Sequence, residues 1–153
     1  MRVVDFLRPE AIVPSLRATN KREVLRELAA RLAEVYGGVD PERLLRVLEE
    51  RERLGSTAIG DGIAIPHGKL PDLEGVRGVF GRHLQGVDFE SLDEKPTRLF
   101  FLLVAPEDSA GMHLKALARI SRLFKDAEFR ARLLEAENAE ALYELIRAQE
   151  EKL

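Results

Sequence analysis

Apolar residues recur along this chain first with a helical period, then with a strand period, then with a helical period again. Asn20 followed by Glu23 reads as a helix N-cap pair, and Val24, Leu25, Leu28, Leu32 and Val35 keep helical spacing until Gly37 and Gly38 end it. Asp40 and Pro41 read as the N-cap and first position of a second helix, whose buried face is Leu44, Leu45, Val47 and Leu48 and which runs to about Arg51 to Arg53. The period is lost over Gly55 to Gly62, GSTAIGDG, which reads as a loop with exposed backbone. Ile63, Ala64 and Ile65 then predict a very short strand halted by Pro66, which puts His67 at a strand end.

Val76 to Leu84 and Val87 to Phe89 read as strands, and Arg98 to Val104, RLFFLLV, reads as a strand covered on both faces. From Ser109 the helical period returns, with Leu114, Leu117, Ala118, Ser121 and Phe124 on one side. Phe129, Leu133 and Leu134 follow, and then, after an Asn138 cap, Leu142, Leu145 and Ile146. Helices before and after a buried central strand predict an α/β fold, a three-layer α/β/α sandwich with a mixed central sheet flanked by helices on both faces. No linker, repeat or low-complexity tract divides the chain, so residues 1–153 read as a single domain.

Composition narrows the chemistry. With 153 residues, 45% of them hydrophobic, the chain can bury roughly 70% of its unfolded surface without staples. It has no cysteine, which removes disulfides, thiolate metal sites and cysteine nucleophiles. The 24 basic and 27 acidic residues leave a net charge of −3 with both signs interspersed, so neither nucleic acid nor an anionic membrane surface is an expected partner. The opening residues carry Arg2, Asp5, Arg8 and Glu10 and hold no secretory core, and the longest apolar run, Leu99 to Pro106, is too short for membrane insertion. A cytoplasmic protein is expected.

Three histidines then carry most of the options near neutral pH. His67 follows Pro66, precedes Gly68 and lies just after the glycine-rich loop, which suits a nucleophile, a proton shuttle, a metal ligand or a plain turn residue alike. His113 opens a helix after the loop that follows the buried strand. Both histidines could face one mouth at the strand ends, although a half-buried helix residue is the plainer reading of His113. His83 has no loop, glycine cradle or nearby acid and reads as structural or solvent-exposed. Arg51 ends the second helix just before the loop. It could grip an anion there, or be one more solvated charge at a helix C-terminus, a reading that fits Glu52 and Arg53 more strongly. Ser56 and Ser109 lack the G-x-S-x-G setting of a hydrolase, HExxH is missing, and the loop lacks GK[ST].

The run Glu52 to Gly68, ERLGSTAIGDGIAIPHG, resembles the signature of the enzyme IIA proteins of the bacterial phosphoenolpyruvate-dependent sugar phosphotransferase system, in the fructose, mannitol and nitrogen-regulatory class. Asn20 to Leu32, RLFFLLVAPED and HLKALARISRLF extend the resemblance over nearly the whole chain. It implies that His67 of the A-I-P-H motif accepts a phosphoryl group on Nε2, that His113 stands beside it, and that Arg51 is the arginine of the R-E pair before the loop. Phosphoryl transfer needs mainly positioning and charge stabilisation, so Arg51, His113 and the loop groups, Ser56 and Thr57 among them, are the expected donors, with no metal or cofactor required.

The resemblance further implies HPr as phosphoryl donor and a cysteine of an EIIB partner as acceptor in the transport branch. Since this chain has no cysteine, that thiol is expected on another molecule. GIAIPHGKL, LLVAPED and ALYELI resemble the nitrogen-regulatory type more than the sugar-specific ones, which favours a regulatory carrier over a fructose or mannitol transport component. A non-catalytic docking module on the same fold is the competing class. It has no need of His67, Arg51 and His113 together.

Overall fold

The longest apolar run becomes the centre of the sheet. The computed structural model describes residues 1–153. Its strands are β1 (Ile12–Val13), β2 (Ala58–Gly60), β3 (Ile63–Ala64), β4 (His67–Leu70), β5 (Arg77–Val87) and β6 (Thr97–Pro106). Its helices are α1 (Lys21–Tyr36), α2 (Pro41–Arg53), α3 (Ala110–Leu123), α4 (Ala127–Glu135) and α5 (Ala139–Glu150). The sheet order is β1-β5-β6-β3-β2, with β4 also paired to β6. Strand β6 is antiparallel to β5 and parallel to both β3 and β4, so the sheet is mixed. Leu99 through Ala105 are all buried, as a strand covered on both faces requires.

The two helical layers follow from what each sheet face meets. On one face a Cβ at Gly81 would come within 2.9 Å of Leu28 in α1, and a Cβ at Gly68 within 2.7 Å of Val47 in α2. On the other, Phe80 and Phe101 pack on Phe124 at the end of α3, and Arg82 reaches the carbonyls of Leu133, in the last turn of α4, and of Ala136, which caps it, each at 2.7 Å. This is the three-layer arrangement that the helix and strand order predicts. The caps read from the sequence form as well: Asn20 accepts from the Glu23 N–H, Asp40 from Glu42 and Asn138 from Ala141. Glu150, buried in α5, accepts the N–H groups of Val3 and Val4 and so ties the first turn of the chain to the last helix.

Three local expectations change. Val76 to Leu84 and Val87 to Phe89 do not form two strands; β5 is one strand whose register shifts between Arg82 and Val87, with Gly86 at φ +91 and Phe89 beyond its end. The segment Gly55 to Gly62 is not simply an exposed loop, because β2 pairs with β3 and Thr57 and Ala58 are buried. Pro66 does not end the sheet at His67 either. A proline lacks only the N–H, and β6 needs the other group: Leu103 N–H donates to the Pro66 carbonyl at 3.0 Å. The strand path resumes at once, and His67 is the first residue of β4, opposite Leu103.

Candidate functional site

His67 lies at the start of β4, and strand alternation decides its surroundings. Gly68 faces α2, so His67 and Lys69 turn to the opposite face, where α3 begins. The first turn of α3 carries His113, and the two imidazoles meet edge to face with centroids 5.4 Å apart and planes at 76°. Arg51 arrives from the last turn of α2. Its Nε donates to His67 Nε2 at 3.3 Å and its Nη1 to the Gly55 carbonyl at 2.8 Å. The three residues singled out in the sequence therefore converge on one open cleft of about 490 Å³, whose wall also includes Lys69 and the exposed Leu114.

The hydrogen bonds assign the tautomer of His67. Nδ1 lies 2.8 Å from the Ile65 carbonyl, which can only accept, so Nδ1 carries the proton and Nε2 keeps its lone pair. Burial is the main influence lowering the pKa of this imidazole. The Ile65 hydrogen bond opposes it, the Arg51 charge reinforces it and Glu52 opposes it, with the net direction downward. His113 is lowered to about 4, first by burial and then by His67 and Lys69. Both rings are thus neutral at pH 7, one presenting a lone pair and the other a wall beside it. His113 Nδ1 is buried without a hydrogen-bond partner, so this ring is not held by an internal polar network.

Two other expected donors are engaged elsewhere. The Ser56 hydroxyl donates to the Phe89 carbonyl at 2.5 Å and accepts from Ala58 N–H, and the Thr57 hydroxyl donates to Glu52. Neither has a proton left to offer an anion at His67. His83 is structural, as one of its sequence readings has it: Nε2 donates to the Ala18 carbonyl and Nδ1 accepts from Gly86 N–H. Glu52 is not the solvated charge that its place in the sequence suggests: its side chain is only 6% exposed. An acid in the last helical turn, against the dipole, was the available sign that it has work in the fold. Lys69 carries no local mark of its place in the cleft wall, which depends on a strand continuing past Pro66. No group of three metal-type side chains converges anywhere, and no helix is long and apolar enough to cross a membrane.

Residues 5–149 match the model of the family described as phosphoenolpyruvate-dependent sugar phosphotransferase system, EIIA 2. The nitrogen regulatory protein of Bradyrhizobium diazoefficiens is 47% identical over 146 residues, 95% of each chain. The fructose-specific EIIABC component of Bacillus subtilis is 36% identical over 95% of this chain, which spans 23% of that larger protein. Among solved structures, the nitrogen regulatory protein IIA-Ntr of Neisseria meningitidis superposes with a TM-score of 0.87 at 30% identity, over 94% of this chain and 98% of that one. The chain therefore belongs to the EIIA type 2 family of the phosphoenolpyruvate-dependent sugar phosphotransferase system.

Proposed function

We propose that the protein is a phosphohistidine carrier in which His67 Nε2 accepts a phosphoryl group from a phosphorylated HPr-like protein. The observation that carries this reading is the set of bonds on one ring: Nδ1–H committed to a backbone carbonyl and Nε2 facing only the long contact from Arg51. In the transfer, the phosphorus–nitrogen bond of the donor histidine breaks as the bond to His67 Nε2 forms. The His67 ring gains positive character, and its Nδ1–H bond to Ile65 strengthens. Arg51 gives up its contact with the lone pair and turns to the equatorial oxygens, where a guanidinium is well matched to a phosphoryl group. Lys69 adds a second cation on the same wall.

The phosphoryl group then waits for a reader or an acceptor. A regulatory role is favoured by the 47% identity, over 95% of both chains, to a nitrogen regulatory protein. In that role, on the order of two negative charges appear on the rim around His67 and Leu114 and change which proteins dock there. Transfer to an EIIB cysteine, in a sugar transport system, is the second reading and draws on the likeness to the fructose-specific component.

Incubation with phosphoenolpyruvate, enzyme I and HPr tests the carrier role. An acid-labile adduct is expected on the wild type and none on His67→Ala; an adduct that persists in the variant overturns the assignment. Presenting the phosphorylated protein to a panel of EIIB proteins separates the two fates. Rapid loss of the group to one of them argues for transport, and retention against all of them argues for regulation.

A further inference from the structure

The carrier reading gives Glu52 no task, although a carboxylate is taken out of water only where donors replace the solvent. Here three do. Oε1 accepts the Thr57 N–H at 3.0 Å and the Lys21 ammonium at 3.0 Å, and Oε2 accepts the Thr57 hydroxyl. This clamp closes the turn that follows α2, bringing Glu52 against Thr57 with Gly55 between them. Lys21 also lies 4.9 Å over the ring of Phe89, whose carbonyl takes the Ser56 hydroxyl, so the same ammonium steadies the turn at a second point.

What the clamp holds is the backbone on which the His67 ring depends. The Thr57 carbonyl accepts the Ile65 N–H at 3.1 Å, and the Ile65 carbonyl accepts His67 Nδ1–H at 2.8 Å. On the other side of the ring, Arg51 is braced by the Gly55 carbonyl at 2.8 Å and from there reaches His67 Nε2. Both ring nitrogens thus trace back to one turn, Glu52 to Thr57, through two independent chains of hydrogen bonds.

We infer that Glu52 and Thr57 are a positioning pair for the phosphoryl acceptor: their mutual contact, steadied by Lys21, fixes the Ile65 and Gly55 carbonyls that hold His67 as the Nδ1–H tautomer with Nε2 open to the cleft. The inference rests on the carrier reading for its consequence in phosphoryl transfer, but not for its structural content. It moves Thr57 from the phosphate to the backbone behind the nucleophile. It also predicts that neither Glu52 nor Lys21 touches the transferring group.

The test compares wild type with Glu52→Gln, Thr57→Val and Thr57→Ser in two measurements. In ¹⁵N spectra of the unphosphorylated protein, wild type and Thr57→Ser show a single Nδ1–H tautomer at His67, whereas Glu52→Gln and Thr57→Val show a mixture. With phospho-HPr, the single-transfer rate constant at saturating donor falls roughly ten- to a hundredfold in Glu52→Gln and Thr57→Val while the donor concentration giving half that rate stays near wild type, since a displaced nucleophile costs rate and the docking face is untouched. Thr57→Ser keeps the hydroxyl and rescues the rate. Lys21→Met, outside the turn, folds with the clamp loosened and moves both readouts part of the way. If the variants lose thermal stability but keep the wild-type tautomer and transfer rate, the pair is structural only and the inference is overturned. If wild type accepts no phosphoryl group, the carrier reading fails, and the tautomer measurement still decides whether the pair positions the ring.

Discussion

An imidazole attacks phosphorus only while one nitrogen is unprotonated, and at His67 burial works toward that state. Because the folded pKa lies below the ordinary histidine value of about 6.5, the ring stays neutral as pH falls through 6.5 and gains its proton only further down. An NMR titration of His67 is expected to give a midpoint below 6.5; a midpoint above it contradicts the arrangement of charges around the ring. Arg51→Met removes a cation that lowers this pKa, so the midpoint moves up, while phosphoryl acceptance falls by about 10²–10³ for the loss of one donor to the transferring group. His113 has a linked effect on stability. With its folded pKa near 4, below that of the unfolded chain, the unfolded state binds more protons between pH 6.5 and 4. Stability from this residue is therefore present above 6.5 and is lost as pH falls toward 4, and the acid limb of a stability–pH curve should flatten in His113→Leu. His67, His113 and Arg51 were legible in the sequence because an A-I-P-H motif, a helix-opening histidine and an R-E pair each leave a local mark. Glu52, Lys69 and the true partners of Ser56 and Thr57 were not, because their roles depend on which chain segment lies across from them.

At the scale of elements, Gly68 sets the distance between the strand that begins with His67 and helix α2. A Cβ there would stand 2.7 Å from Val47, so Gly68→Val must push β4 away from α2, at about 1–3 kcal/mol of overpacking strain. Thermal denaturation should show that loss, and phosphoryl acceptance should drop with it because His67 is displaced along with its strand. Asn138→Ala, by contrast, removes the cap of α5, a helix with no residue in the wall of the cleft; it should lower stability by about 1 kcal/mol and leave the activity of the folded protein unchanged. The helices were readable because caps and apolar period are local properties. The irregular strands were harder. Pro66 looks like a terminator when the chain is read alone, and only the parallel neighbour β6, which uses its carbonyl, shows that the path continues. In β5, Gly86 looks like a break, yet the strand crosses it with a shift of register beside Pro96 and Thr97.

For the whole molecule, the fold is a device that brings the ends of three separate elements to one rim: the start of β4, the end of α2 and the first turn of α3. Strand β6 fixes their spacing, since β4 pairs with it directly and α3 follows it after a short turn. Leu102→Ala, in the middle of that strand and fully buried, is expected to cost about 2–5 kcal/mol and to reduce activity only through loss of folded protein. The α/β/α layering was legible from the order of helices and strands and from RLFFLLV, whereas convergence on a single cleft needed the sheet order, which no local pattern encodes. The chain carries a net charge of −3, and in the proposed carrier role a phosphoryl group on His67 would concentrate on the order of two further negative charges at this one rim. The most direct test of the account is the position of the phosphoryl group on the ring. ¹H–¹⁵N correlation spectra of the protein phosphorylated by phospho-HPr should show Nε2-phosphohistidine at residue 67, with Nδ1 still facing Ile65. A phosphoryl group on Nδ1, or on a residue other than His67, would contradict it.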